Sequence, residues 1–199
     1  MMATDLLLAW VLGYLLGSIP FGLILTRLAG KGDVRKVGSG NIGATNVLRA
    51  GGKGLGAATL LLDALKGAAA VLLARQLFGE GSESFAATGA MIGHLYPLWL
   101  RFRGGKGVAT LLGVLIPLLP PAALVYVAVW LALFLAVRLS AVSGIAAAVS
   151  APVSAALFGA QHLFPMLLGF ALLVVWKHRA NVARLKAGTE PRIGKEKDG

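Results

Sequence analysis

The sequence predicts an all-α fold, a polytopic membrane bundle of about seven transmembrane helices, from three observations. First, 57% of the 199 residues are apolar and only 14% are charged, whereas a soluble domain has roughly 25% charged residues. Second, the apolar residues fall into long runs that suit membrane-spanning helices. Third, the 19 Lys and Arg residues, which outnumber 8 acids and give a net charge of +11, lie between those runs. This pattern excludes a soluble enzyme, a disordered tail and a nucleic-acid-binding domain.

Seven apolar runs are the predicted spans. They cover residues 4–28, 55–78, 85–101, 108–119, 121–138, 141–160 and 163–178. The fourth run is short for a bilayer, and Pro117, Pro120 and Pro121 mark its boundary with the fifth, because proline ends or kinks a helix. No Lys or Arg precedes the first run, so we interpret it as a retained span and not as a signal peptide. We expect one transmembrane domain over 1–190 and a basic tail over 191–199.

The basic residues also predict the orientation of the chain in the membrane. One set of connections, together with the C-terminal segment, holds 17 of the 19 Lys and Arg residues, all but Lys66 and Arg75. The opposite connections, near 79–84, 117–121 and 159–164, hold none. Because Lys and Arg accumulate on the cytoplasmic side, seven spans place the N-terminus outside and the C-terminus in the cytoplasm.

Few residues suggest metal, redox or thiol chemistry. The chain has no Cys, so disulfides, thiolate metal sites and Cys nucleophiles are excluded. The spacing of the three His residues assembles no metal site, and we expect neither a metal nor a cofactor. Asp63 and Lys66, at i and i+3 in the second span, are interpreted as a mutual salt bridge.

A polar segment after the first span has a composition that suits phosphate binding. It contains G-S-G-N-I-G-A-T-N at 38–46, followed by Arg49. Glycine lets backbone N–H groups approach a ligand, and an Arg fork binds phosphate oxygens. If residues 44–50 are helical, Thr45 and Arg49 share a face at i, i+4, beside Asn46. The alternative is a flexible basic loop whose polar residues cap helices.

A second segment, G-G-K-G at 104–107, precedes the fourth span. A helix N-terminus carries partial positive charge, so Lys106 between glycines predicts an anion site. This is not a Walker A loop, because no Ser or Thr follows the Gly-Lys pair. The alternative is that Lys106 only lies at the membrane edge and helps to set the orientation of the chain in the membrane. The same tetrad occurs at 51–54, either as a remnant of an internal duplication or by chance.

A third segment, K-H-R-A-N at 177–181, closes the last span. His178 and Asn181 lie at i and i+3, so we expect both to point at one spot. The helix dipole favours basic residues at this end, but it does not explain Asn181. Ser140 and Ser143, at the start of the sixth span, are either caps or ligand donors.

Together the motifs resemble those of the bacterial acyl-phosphate–glycerol-3-phosphate acyltransferase family over roughly 6–190. The similar stretches are G-S-G-N-I-G-A-T-N-V-L-R at 38–49, G-H-L-Y-P-L-W-L-R-F-R-G-G-K-G-V-A-T at 93–110 and H-R-A-N-V-A-R-L-K-A-G-T-E at 178–190. G-S-I-P-F-G at 17–22 and D-A-L-K-G at 63–67 are also similar.

The resemblance implies an enzyme of the bacterial cytoplasmic membrane, with its active site on the cytoplasmic face. It would transfer a fatty acyl group from acyl phosphate to the 1-hydroxyl of sn-glycerol 3-phosphate, the first acylation of phospholipid synthesis. The products would be lysophosphatidate and phosphate, and neither acyl-CoA nor acyl-carrier protein would serve directly. A transporter or flippase for a phosphorylated solute or lipid is the main alternative, and a non-enzymatic lipid-binding protein is another.

The resemblance also implies roles for individual residues. Lys106, with the N–H groups of 104–107, holds the acyl phosphate, while His178 and Asn181 position glycerol 3-phosphate. The expected binding residues are Ser39, Asn41, Thr45, Asn46, Arg49, Gly104, Gly105, Lys106, Ser143, His178 and Asn181, with Lys106, Ser39 and His178 as catalytic candidates. We favour a substrate phosphate oxygen as the acceptor of the hydroxyl proton, and His178 is the alternative.

Overall fold

The structure is a computed structural model that describes residues 2–193. Within that range the regular structure is entirely helical, which confirms the all-α class. The α-helices are α1 (Ala3–Gly17), α2 (Phe21–Leu28), α3 (Ala44–Gly51), α4 (Lys53–Phe78), α5 (Glu83–Leu95), α6 (Val108–Leu118), α7 (Pro120–Val137), α8 (Ser140–Leu157), α9 (Phe164–Lys177) and α10 (Arg179–Lys186). Short 3-10 helices cover Val34–Lys36, Leu98–Leu100 and Gln161–Leu163. Residues 194–199 of the expected basic tail lie outside the described residues.

The number of helices that can cross a bilayer differs from the seven predicted spans. Four segments are long and apolar enough: Ala3–Leu28, Lys53–Phe78, Pro120–Val137 and Ser140–Leu157. A fifth is added if Gln161–Lys177 and Arg179–Lys186, which meet at a bend of 54°, form one span. With 13 and 11 residues, α5 and α6 fall short of the roughly 20 residues that a straight crossing needs.

Prolines explain where the helix boundaries differ from the predicted ones. The helix predicted over 85–101 is wrong in its last six residues, because α5 ends at Leu95. Tyr96 leaves the helical region (φ −139°, ψ 58°), as expected for a residue before proline, here Pro97. Within 4–28, Pro20 separates α1 from α2, since proline has no N–H to donate. The predicted boundary near 117–121 is confirmed at Leu119.

The chain divides into two compact units, one up to Leu118 and one from Leu119 onward. In the first unit α1 packs along α5, and α4 packs against α1, α3, α5 and α6. Glycines bring these helices close together: a Cβ built on Gly13 would overlap the carbonyl of Ala86, and one on Gly113 would overlap the carbonyl of Ala64. Close approach through small residues is typical of helix packing in membranes, where van der Waals contact drives association.

A buried ion pair ties α4 to the break between α1 and α2. Lys66 Nζ lies 2.7 Å from Asp63 Oδ1, with both side chains almost fully buried. The same ammonium donates to the carbonyl oxygen of Ile19 at 2.8 Å. The predicted Asp63–Lys66 salt bridge is therefore confirmed, and it satisfies one of the carbonyls released where Pro20 interrupts the helix.

In the second unit α8 packs between α7 and α9, and α10 follows α9 after the bend. Beyond α10 the chain returns to the connection between α7 and α8, where the N–H of Ile193 donates to the carbonyl of Arg138 at 3.0 Å. This return places the last described residues beside the start of α8.

Candidate active site

The side chain of Asn46, in the first turn of α3, organises the polar loop that precedes that helix. It is 2% exposed. Its Nδ2 lies 2.9, 3.0 and 2.8 Å from the carbonyl oxygens of Val34, Val37 and Asn41. Its Oδ1 accepts the N–H of Ser39 at 3.0 Å. One buried amide therefore fixes four points of the backbone between 34 and 41.

An apolar cluster seats the same loop on the first unit. Its buried members are Leu23, Val34, Ile42 and Val47. Ahead of the cluster, Asp33 caps the 3-10 turn at Val34–Lys36 by accepting the N–H of Arg35 at 3.0 Å. The Arg35 guanidinium also donates to this carboxylate and holds the pKa of Asp33 well below its usual range, so the cap stays ionised at neutral pH.

Two glycines give the loop the shape that exposes Ser39. Gly38 and Gly40 have φ values of +56° and +69°, in the left-handed region that favours glycine. A Cβ built on Gly38 would overlap Asn46 Oδ1 and would lie 3.9 Å from Arg49 Cδ. The structure thus brings the Gly38–Ser39 backbone next to the Arg49 side chain, and both Ser39 and Arg49 are exposed.

Residues 44–50 are helical, as part of α3, so the condition for Thr45 and Arg49 to lie one turn apart on one face is met. Asn41 precedes it, and its Oδ1 accepts the N–H of Gly43 at 2.8 Å. The amides of Asn41 and Asn46 thus have roles within the loop itself. Contact of Asn41, Thr45 or Asn46 with a substrate stays a prediction.

The Gly104–Gly107 segment is held to the end of α5. The N–H of Gly104 donates to the carbonyl of Leu95 at 3.2 Å, and that of Gly105 donates to the carbonyl of His94 at 3.0 Å. A substrate phosphate would have to share these N–H groups with the two carbonyls. Helix α6 begins at Val108, so half-buried Lys106 lies two residues before it. Its ammonium adds to the positive end of the α6 dipole.

In the second unit Ser143 and His178 are both buried. Ser143 Oγ, in the first turn of α8, donates to the carbonyl of Leu139 at 3.2 Å. His178 lies at the junction of α9 and α10, and its Nδ1 is 2.8 Å from the carbonyl oxygen of Val174. In the neutral ring a proton on Nδ1 serves that contact, which makes Nε2 the proton-accepting nitrogen.

Asn181 lies in the first turn of α10 and is held by a residue that the sequence analysis did not assign. Its Nδ2 donates to Glu190 Oε1 at 2.6 Å, and Arg184 Nε donates to Glu190 Oε2 at 2.7 Å. The Glu190 side chain is only 4% exposed. The sequence contains a signal for this residue, because Glu190 is the only acid between Glu83 and Glu196. The Glu190 carboxylate orients the Asn181 amide and offsets the positive charge of Arg184 on α10.

The predicted residues therefore fall into three groups. Ser39, Asn41, Thr45, Asn46 and Arg49 lie on the 38–43 loop and α3; Gly104, Gly105 and Lys106 lie on the segment before α6; Ser143, His178 and Asn181 lie in the second unit. Within residues 2–193, no group of three His, Asp or Glu side chains is placed to hold a metal ion. Guanidinium, ammonium, hydroxyl and amide donors suit phosphate oxygens.

Comparison with known sequences identifies the family. The model of the family described as glycerol-3-phosphate acyltransferase matches residues 7–188. The glycerol-3-phosphate acyltransferase of Rhodopseudomonas palustris (strain BisB5) is 56% identical over 189 residues, which are 95% of this chain and 96% of that protein. The glycerol-3-phosphate acyltransferase of Mesorhizobium japonicum is 56% identical over 193 residues, which are 97% of this chain and 98% of that protein.

Solved structures agree with this result. The crystal structure of PlsY (YgiH), an integral membrane glycerol 3-phosphate acyltransferase, in its glycerol 3-phosphate form has a TM-score of 0.89 and 41% identity, and the match covers 95% of this chain and 96% of that one. Its lysophosphatidic acid form has a TM-score of 0.85 and 40% identity, with 95% of each chain covered. With its apolar helices and these bacterial relatives, the protein is a multi-pass bacterial membrane enzyme that belongs to the glycerol-3-phosphate acyltransferase family.

Proposed function

We propose that the protein transfers a fatty acyl group from an acyl phosphate to the 1-hydroxyl of sn-glycerol 3-phosphate. The observation that carries the proposal is the family match over residues 7–188. The relatives are named for glycerol 3-phosphate acylation, and the structural neighbours are titled as glycerol 3-phosphate and lysophosphatidic acid forms. The acyl-phosphate donor follows from the motif resemblance, and a donor that carries its own phosphate leaving group suits a site rich in phosphate-binding donors.

The reaction depends mainly on alignment of the two substrates and on stabilisation of the charge that develops on the departing phosphate. The 1-hydroxyl oxygen attacks the acyl carbonyl carbon, the bond from that carbon to the phosphate oxygen breaks, and inorganic phosphate leaves. A mixed anhydride is already activated, so well-placed donors that stabilise the developing charge account for much of the acceleration. We assign that role to Lys106, together with the positive end of α6. Ser39 follows Gly38, whose backbone lies next to the Arg49 side chain, and both residues are exposed; we assign both to phosphate oxygens.

His178, Asn181 and Ser143 are assigned to glycerol 3-phosphate on the basis of the motif resemblance. The bond from Asn181 to Glu190 supports this assignment for Asn181, because a fixed amide is a directional hydrogen-bond partner. We infer that an oxygen of the departing phosphate accepts the hydroxyl proton. His178 is the alternative acceptor, since its contact with Val174 makes Nε2 the basic nitrogen.

We propose a seven-span topology in the inner membrane, with the N-terminus outside, the C-terminus in the cytoplasm and the active site on the cytoplasmic face. The bias of 17 of 19 basic residues toward one side supports it. In this topology α5 and α6, with 13 and 11 residues, cross as helices shorter than a straight crossing needs. Residues 1–190 then form one acyltransferase domain.

A substrate-dependence assay tests the proposal. Purified protein receives palmitoyl phosphate, palmitoyl-CoA or palmitoyl-acyl carrier protein, each with and without glycerol 3-phosphate. We expect lysophosphatidate only from palmitoyl phosphate with the acceptor. Uptake of labelled glycerol 3-phosphate into sealed vesicles without a donor would instead favour the transporter, which the comparisons do not support. Binding of both substrates without turnover would favour a lipid-binding protein.

A further inference from the structure

A buried polar cluster lies behind the Gly104–Gly107 segment and has no role in the chemistry described above. It consists of Asp63, Lys66 and His94, each no more than 4% exposed. Lys66 Nζ is anchored by Asp63 Oδ1 at 2.7 Å and by the carbonyl of Ile19 at 2.8 Å. His94 Nδ1 lies 3.8 Å from the same Asp63 oxygen. The ion pair therefore fixes a negative charge beside one edge of the imidazole ring.

The opposite edge of that ring faces the glycines. A Cβ built on Gly105 would overlap His94 Nε2 and Cε1, so the ring fills the space that a side chain at 105 would need. The main chain makes the same connection, because the N–H of Gly105 donates to the carbonyl of His94 at 3.0 Å. A Cβ on Gly104 would overlap that carbonyl as well. The position of the backbone next to Lys106 thus depends on where His94 lies.

We propose that His94 is a positioning residue for Lys106, held in place by the Asp63–Lys66 ion pair and acting through the backbone of Gly104 and Gly105. The inference rests on the proposed role of Lys106. It accounts for two features that phosphate binding alone leaves open. It explains why Gly104 and Gly105 are both glycine although neither has a positive φ, and why an ion pair is retained in the interior of this unit, where burial of charge is costly.

A double-mutant cycle between His94 and Lys106 tests the proposal in the full-length protein. His94→Asn keeps a polar group toward Asp63 and removes the half of the ring that packs on Gly105. Phosphate release from palmitoyl phosphate with glycerol 3-phosphate gives kcat and both KM values for wild type, each single variant and the double variant. We expect His94→Asn to lower kcat/KM at least tenfold when Lys106 is present and less than threefold in the Lys106→Ala background. Equal losses in both backgrounds, or no loss in either, would overturn the proposal.

A second pair of variants keeps the test decisive if His94→Asn does not fold, which size-exclusion chromatography in detergent detects. Gly105→Ala pushes against the ring from the other side, and Gly54→Ala is its control, because a Cβ at Gly54 meets open space in the same G-G-K-G tetrad. We expect at least a tenfold loss for Gly105→Ala and none for Gly54→Ala. Full activity of Gly105→Ala would contradict the proposal. Full activity of Lys106→Ala would instead remove the proposed role of Lys106, and positioning through it, whatever His94 does.

Discussion

The side-chain oxygen of Asn46 lies 3.0 Å from the backbone nitrogen of Ser39 and accepts its hydrogen bond. The nitrogen of the same amide contacts three further carbonyls of the loop. Ser39 is thus exposed on a loop whose shape is set from within by one buried residue.

Asn46→Asp tests this role, because aspartate retains the acceptor for Ser39 but has no N–H for the three carbonyls. Leaving a buried carbonyl without a donor costs about 1–3 kcal/mol, so we expect lower thermal stability in detergent and at least a tenfold loss of acyl transfer. Asn41→Asp is the control for stability, since an aspartate there still accepts the N–H of Gly43. Equal stability of Asn46→Asp and wild type would show that the loop does not depend on the amide.

Lys106→Ala removes the ammonium that we assign to the departing phosphate. Loss of one such charge-stabilising donor costs about 10²-fold or more in rate, and we expect a loss of at least that size in steady-state phosphate release. Lys53→Ala is the matched control, because Lys53 occupies the corresponding position of the tetrad at 51–54 and is exposed. A loss below tenfold for Lys106→Ala, or an equal loss for Lys53→Ala, would refute the assignment.

Arg49→Lys keeps the charge but loses the planar fork. Because lysine cannot make a bidentate contact with phosphate, we expect the KM for the phosphate-bearing substrate that Arg49 binds to rise at least fivefold. Separate titrations of palmitoyl phosphate and glycerol 3-phosphate identify which substrate that is. Arg75→Lys, at an exposed arginine paired with Glu80, should leave both KM values unchanged. Near-normal KM values in Arg49→Lys would remove Arg49 from the site.

His178→Gln separates the two proposed proton acceptors. If a phosphate oxygen accepts the proton, the variant should keep measurable turnover and show mainly a raised KM for glycerol 3-phosphate. His162→Gln, at an exposed histidine of the second unit, is the control. Loss of turnover in His178→Gln with glycerol 3-phosphate binding intact would return the role of general base to His178.

Glu190→Gln tests the support of Asn181. Glutamine still offers an oxygen to Asn181, but it loses the charge that holds Arg184. Since hydrogen bonds to charged groups contribute about 1.5–3 kcal/mol, we expect lower thermal stability and weaker glycerol 3-phosphate binding. Glu80→Gln, at an 85% exposed side chain, should change neither. Unchanged stability and affinity in Glu190→Gln would mean that Asn181 does not need the carboxylate.

The fold was largely predictable, because hydrophobic run length and proline carry most of the information about membrane helices. The break before α7 and the Asp63–Lys66 pair were both expected and are present. The end of α5 was missed since residues 96–102 are almost as apolar as a helix interior. Only Pro97 signals that the chain leaves the helix there.

The candidate site was predictable in its segments but not in the direction of each side chain. Asn41, Asn46 and Ser39 belong to one motif, and composition does not show that Asn46 turns inward while Ser39 turns outward. That difference arises from the left-handed turns at Gly38 and Gly40 and from the apolar cluster beneath. Glu190 was missed because its contact with Asn181 depends on how the chain folds back after α10.

The stoichiometry of a single turnover tests the central claim most directly. Purified protein in excess over doubly labelled palmitoyl phosphate is mixed with glycerol 3-phosphate, and labelled inorganic phosphate and labelled lysophosphatidate are counted together. We predict one phosphate and one lysophosphatidate for each acyl phosphate consumed, and neither product without glycerol 3-phosphate. Release of phosphate at the same rate without the acceptor, or with free palmitate in place of lysophosphatidate, would contradict acyl transfer between two phosphorylated substrates.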